Sequence, residues 1–298
     1  MKRKIVLFII LAFAIDWILW IATTIASGPV TEGAGLWSLV MPLAMFGPMV
    51  AALIVRAVPG EDIERGWRPK IRGHVRVYLL AWFVPAALSV LGAALYFLAF
   101  PGEFDAEAGR FSAAAQAQLG ISSDRVPLML AVQIAYAVVV APLINMLVAI
   151  GEEVGWRGFL FPALGHYIPE RKAAVLTGAI WGLWHAPLIA EGYNYGTDYA
   201  GFPVTGILMM VAGCTAFGML LAFLRSRTGS VWAPALAHGA MNATAGLGLL
   251  FSSGTSTIMG PSPLGLAGFL PSLVLAVFLW RHMDGKRTEG QAAKHLAH

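Results

Sequence analysis

The chain has 298 residues, of which 58% are hydrophobic and 12% are charged. A soluble domain carries about 25% charged residues, so this composition excludes one and places the chain in a membrane. The formal net charge of +4 does not point to nucleic acid, because the basic residues are confined to loops and ends.

Eight apolar runs of membrane-spanning length follow one another, at about 20 residues per span. The first, 5–26, stands behind Lys2, Arg3 and Lys4. It is longer than the apolar region of a signal peptide and contains Asp16, so it is read as a retained span. The second and third are 36–58 and 77–100, separated by a loop rich in arginine. The fourth, 127–150, continues through a polar cluster. The remaining four are 173–190, 204–224, 231–251 and 264–280. With the N-terminus inside, every basic residue except Arg110 and Arg125 falls on the cytoplasmic side, as the positive-inside rule requires. The expectation is an all-α polytopic transmembrane bundle of about eight helices, with both termini cytoplasmic. It forms one integral membrane domain over 1–280, with a cytoplasmic tail at 281–298. The lone Cys214 lies in an apolar run and provides no disulfide framework.

Ionisable residues inside or beside the spans are few, because burying a charge in lipid is costly. They are Asp16, Glu152, Glu153, Arg157, His185 and His238, accompanied by Asn145 and Asn242. In a helix, Glu153 and Arg157 are four residues apart and face each other as an ion pair, while Glu152 is rotated about 100° away with no local partner. Gly155 and Gly158 thin the same helix for close packing. His185 lies deep in the fifth span beside Pro187, which withholds a backbone donor and is expected to kink the helix there. His238 and Asn242, also four apart, share one face of the seventh span. Each element alone has a structural explanation. Together, three spans contributing polar groups are tolerable if those groups meet around a hydrated cavity in the cytoplasmic half. An unpaired carboxylate, two imidazoles and a carboxamide have the parts for water activation and oxyanion stabilisation.

The stretches Glu152-Glu153-Val-Gly-Trp-Arg157, Trp181-Gly-Leu-Trp-His185 and His238-Gly-Ala-Met-Asn242 resemble the three motifs of the CPBP intramembrane proteases. That family, also called Abi, includes the CAAX prenyl-protein endopeptidases and bacteriocin-processing and immunity proteins. Trp181 stands where the second motif usually has Phe. The resemblance implies a protease core at approximately 126–251 and hydrolysis of a peptide bond in a membrane-associated peptide or protein, whether or not that substrate is lipidated. It further implies that Glu152 with His185 activates water, that His238 with Asn242 stabilises the oxyanion, and that Glu153, Arg157 and Trp181 support them. A metal-free mechanism is the favoured reading. If zinc were used, Glu152, His185 and His238 would be its ligands, with a fourth position open to water. The bilayer is the expected surrounding, in the cell (inner) membrane with the motifs toward the cytoplasm. Two other readings stay open: a non-catalytic membrane binding or immunity protein, and a proton-coupled transporter.

Overall fold

A computed structural model describes residues 1–31, 35–120, 122–254 and 258–283. Among them the chain is helical and contains no strand. The helices are α1 (Lys2–Ser27), α2 (Trp37–Ala44), α3 (Gly47–Ala57), α4 (Val75–Ala99), α5 (Gly109–Leu119), α6 (Val126–Ala135) and α7 (Ala141–Gly155). They continue as α8 (Phe161–Gly165), α9 (Glu170–Trp184), α10 (Ala186–Ala190), α11 (Val204–Thr228), α12 (Trp232–Thr244) and α13 (Leu270–Met283). The all-α polytopic bundle read from the sequence is therefore observed. The expected tail begins within α13, and its residues 284–298 lie outside the described ones.

Five helical stretches are long and apolar enough to cross a bilayer: Lys2–Ser27, Trp37–Ala57, Val75–Ala99, Ser123–Gly165 and Val204–Thr228. Their outer faces carry apolar side chains that water would penalise. Ile25, Leu98 and Leu128 are 82%, 78% and 69% exposed, as suits a surface solvated by lipid. The other three expected spans are shorter or broken. The fifth divides into α9 and α10 at His185, with Pro187 at the start of α10, so the break falls where the missing proline donor was expected to put it. The seventh stops at Thr244, and a separate 3-10 turn covers Leu247–Phe251. The eighth is the 14-residue α13.

The stretch Ser123–Gly165 is 43 residues long, which at 1.5 Å per residue is about 65 Å, twice the ~30 Å of a hydrocarbon core. It is interrupted by two π-helical turns, Tyr136–Val140 and Trp156–Leu160. A π turn widens the helix and displaces its backbone hydrogen bonds. At the second turn the carbonyls of Arg157 and Gly158 accept instead from Arg225 Nε at 3.1 Å and Arg56 Nη2 at 2.8 Å.

Helix α12 packs along α7 and α4, α11 along α9 and α13, and α3 between α1 and α7. Two small-residue pairs permit the closest approaches. A Cβ on Gly178 would lie 2.7 Å from the Thr215 Cα, and one on Gly182 2.5 Å from the Val211 Cα, so α9 and α11 touch backbone to backbone. Gly151 and Gly155 do the same for α7 against Met45 and Pro48.

The loops sort to two ends. At one end Arg56 and Arg225 grip the π turn, Arg225 also reaches the Glu64 carbonyl at 3.2 Å, and the Val231 amide bonds the Gly66 carbonyl at 2.9 Å. At the other end the Trp37 indole bonds the Gly28 carbonyl at 2.9 Å, Glu191 accepts from Thr24, and Asp105 pairs with Phe251. The arginine-rich loop and the N-terminus, whose amine lies 3.5 Å from Glu61, share the first end. If that end faces the cytoplasm, a cysteine at the exposed Arg68 will escape a membrane-impermeant maleimide applied to intact cells, and one at the exposed Thr197 will react. Cys214 is buried and will contribute little background. Labelling at Arg68 but not Thr197 would invert the topology.

Candidate active site

A cavity of about 300 Å³ lies among α1, α2, α7, α9–α12 and the loops after α10 and before α13. Glu152, His185, His238 and Asn242, supplied by α7, the α9–α10 junction and α12, all border it. So does Trp181. Glu153 and Arg157 do not; they form a layer behind it, on the side of the arginine-rich end. The cavity extends from there to Tyr193, Asn194 and Leu264 in loops of the opposite end, and Asn194 and Asn242 are exposed at its rim.

Trp181 is the hub. Its indole Nε1 donates to Glu152 Oε2 at 2.6 Å, giving the carboxylate a partner 29 residues away that local spacing could not supply. Its ring centroid lies 5.9 Å from that of His185 and 5.1 Å from that of His238, both edge-on. The Arg157 guanidinium sits 4.5 Å from the same ring. An aromatic ring whose face meets a cation and whose edge carries a donor can organise all four groups at once.

The histidine tautomers follow from their partners. His185 Nδ1 lies 2.9 Å from the Trp181 carbonyl, which only accepts, so Nδ1 bears the proton and Nε2 is left as an acceptor. This carbonyl is available because α9 ends at Trp184. His238 Nδ1 lies 2.9 Å from Glu153 Oε1, which also accepts from Arg157 Nη1 at 3.0 Å. Glu153 therefore joins the expected ion pair to an imidazole 85 residues away. The Arg157 and Glu153 side chains are 1% and 0% exposed, and Arg157 Nε and Nη2 have no hydrogen-bond acceptor among the described residues. Glu153 is thus the carboxylate on which the buried guanidinium depends.

The remaining polar candidates lie elsewhere. Asp16 is fully buried but does not reach the cavity; its Oδ2 accepts from Trp184 Nε1 at 3.0 Å, and the Trp184 ring packs 4.7 Å from His185. Asn145 contacts the Gly239 carbonyl at 3.5 Å. Sequence reasoning did not single out Tyr193, Asn194, Met41, Met45 or Met210 as cavity residues. For Tyr193 and Asn194 the sequence signal is a pair of flanking glycines, Gly192 and Gly196, which marks a turn and nothing more; the three methionines have none. Among the described residues no three His, Cys, Asp or Glu side chains are grouped so as to hold a metal ion.

Residues 130–244 match the family described as type II CAAX prenyl endopeptidase, Rce1-like. This segment is similar to that family. It contains all seven residues singled out in the three motifs, from Glu152 to Asn242. Two relatives extend the likeness. "CAAX prenyl protease 2" of Methanococcus maripaludis is 26% identical over 197 residues, 63% of this chain and 64% of that protein. "Putative membrane peptidase YdiL" of Bacillus subtilis is 27% identical over 208 residues, 70% of this chain and 69% of that protein. The match thus spans just under two thirds of the first relative. The family match and both relatives agree with the resemblance read from the three motifs.

Proposed function

We propose that this integral membrane protein is an intramembrane endopeptidase that hydrolyses a peptide bond of a membrane-associated peptide or protein by glutamate- and histidine-activated water. The observation that carries this reading is the convergence of Glu152, His185, His238 and Asn242 from three helical segments on one cavity. Glu152 keeps Oε1 for a water while Oε2 is held by the Trp181 indole, and His185 Nε2 offers a second acceptor to the same water. One O–H proton passes to Glu152 as the water oxygen bonds to the scissile carbonyl carbon. The Asn242 amide and the His238 ring then donate to the oxyanion. Glu153 orients that ring by accepting from its Nδ1. When the C–N bond breaks, the proton held on Glu152 goes to the leaving nitrogen, and the carboxylate is regenerated.

Every step uses the protein's own groups, and we propose a metal-free reaction. The zinc content of purified protein and the effect of a chelator on turnover test that choice. The arginine-rich end is assigned to the cytoplasm, which turns Glu153 and Arg157 toward it. We assign the chain to the cell (inner) membrane as one domain over 1–280. Purified protein incubated with a panel of membrane-associated peptides, prenylated and unprenylated, is expected to cleave at least one at a single bond, read by mass spectrometry. If no peptide of either kind is cleaved, and a proton flux across proteoliposomes appears instead, the transporter reading replaces this one.

A further inference from the structure

The short loop after α10 is pinned on both sides of one residue. Glu191 accepts from the Thr24 hydroxyl and, at 3.3 Å, from the Val30 amide. Tyr195 is 1% exposed, and its hydroxyl donates to the Leu264 carbonyl at 2.9 Å. Between these anchors stands Asn194, with a left-handed backbone (φ 66°) flanked by Gly192 (φ 90°) and Gly196 (φ 69°). Glycine is the least costly residue in that conformation, and asparagine is among the few others that tolerate it. The turn alone would be served by a third glycine. What Asn194 adds is a carboxamide at the exposed rim of the cavity that Asn242 also borders.

That carboxamide is almost unused. Among the described residues its one hydrogen bond is a weak one from Nδ2 to the Met210 sulfur at 3.9 Å, which leaves donors and the carbonyl oxygen for a ligand. The cavity wall contains no lysine or arginine among the described residues, and its only carboxylate is Glu152. A free C-terminal carboxylate entering here would find no lysine or arginine to neutralise it. A secondary amide, with one N–H and one C=O, matches a carboxamide in both senses.

We propose that Asn194 is a substrate-binding residue that hydrogen-bonds a main-chain peptide group, so that the rim of the cavity takes an internal segment of extended polypeptide and not a chain terminus. The proposal deepens the endopeptidase reading and rests on it. It is tested by binding, so the two can fail separately.

The probe is a dansyl-labelled, farnesylated Cys-Ala-Ala-Met peptide, titrated into Glu152→Gln protein in detergent, alone and combined with Asn194→Gly or Asn194→Asp. Glycine keeps the left-handed backbone and removes the carboxamide; aspartate keeps the shape and removes the donors. Loss of one neutral hydrogen bond is worth roughly five- to tenfold in Kd, and both variants should weaken binding by about that factor without a shift in melting midpoint. Replacing peptide bonds of the probe one at a time by esters should weaken binding to the Asn194 protein at one position, and that penalty should vanish in Asn194→Gly. Amidating the C-terminal carboxylate should leave Kd within about twofold, an estimate that follows from the uncharged rim. An unchanged Kd for Asn194→Gly, a loss of about tenfold on amidation, or no binding of the probe at all would overturn the proposal. Binding that depends on Asn194 in a protein whose wild type cleaves nothing would instead overturn the endopeptidase reading and leave this one standing.

Discussion

Replacing Glu152 by glutamine should leave a folded, membrane-inserted protein whose peptide hydrolysis is reduced by the ~10²- to 10⁴-fold associated with general base catalysis. Folding is spared because the bond holding the side chain runs from the Trp181 indole to Oε2, and an amide oxygen accepts it equally well. Activity is not spared, because an amide cannot take the proton that the water must lose. Side-by-side melting midpoints, peptide affinities and turnover numbers check this. A Glu152→Gln protein that turns over at the wild-type rate would remove Glu152 from the chemistry.

Replacing Glu153 by glutamine should damage both stability and activity. The Glu153–Arg157 pair is fully buried, and removing one member of such a pair typically costs ~3 to 5 kcal/mol, because the other charge is left without compensation. The remaining Arg157 nitrogens have no acceptor to fall back on. Spacing alone assigns Glu153 to Arg157 and leads one to expect a loss confined to stability. The bond from His238 changes that expectation: without the charged acceptor on Nδ1, the ring that donates to the oxyanion is held less firmly in place, and turnover should fall as well. Adding Arg157→Gln to Glu153→Gln should recover part of the lost melting midpoint and little of the activity. A double variant that recovers both would show that His238 does not need the Glu153 charge.

What could be read from the sequence is what depends on near neighbours and on composition. The i, i+4 relation of Glu153 and Arg157 appears as a 3.0 Å contact because helical geometry alone imposes it. The apolar runs yielded helices, and Pro187 marked the break at His185. The pairs Gly151–Gly155 and Gly178–Gly182 have the spacing of close-packed membrane helices and could have been used to pair α7 with α2–α3 and α9 with α11. Other features had no local signal. Trp181 and Glu152 are 29 residues apart, and Glu153 and His238 are 85 apart; neither bond follows from any period in the chain. Hydropathy registers neither a π turn, whose inserted residue leaves composition unchanged, nor the three shorter helical segments, whose length is limited by where the backbone turns. The Asn194 loop looked like an ordinary turn because its glycines report backbone conformation and not what the turn presents.

The most direct test of the account is to incubate wild-type protein and Glu152→Gln with one cleavable membrane peptide in ¹⁸O-labelled water and weigh the products. Direct hydrolysis predicts that wild type releases two fragments, the new C-terminal carboxylate carrying one labelled oxygen, while Glu152→Gln binds the peptide with similar affinity and returns it intact. Equal cleavage by both proteins, or an intact peptide with both, would contradict an endopeptidase built on Glu152.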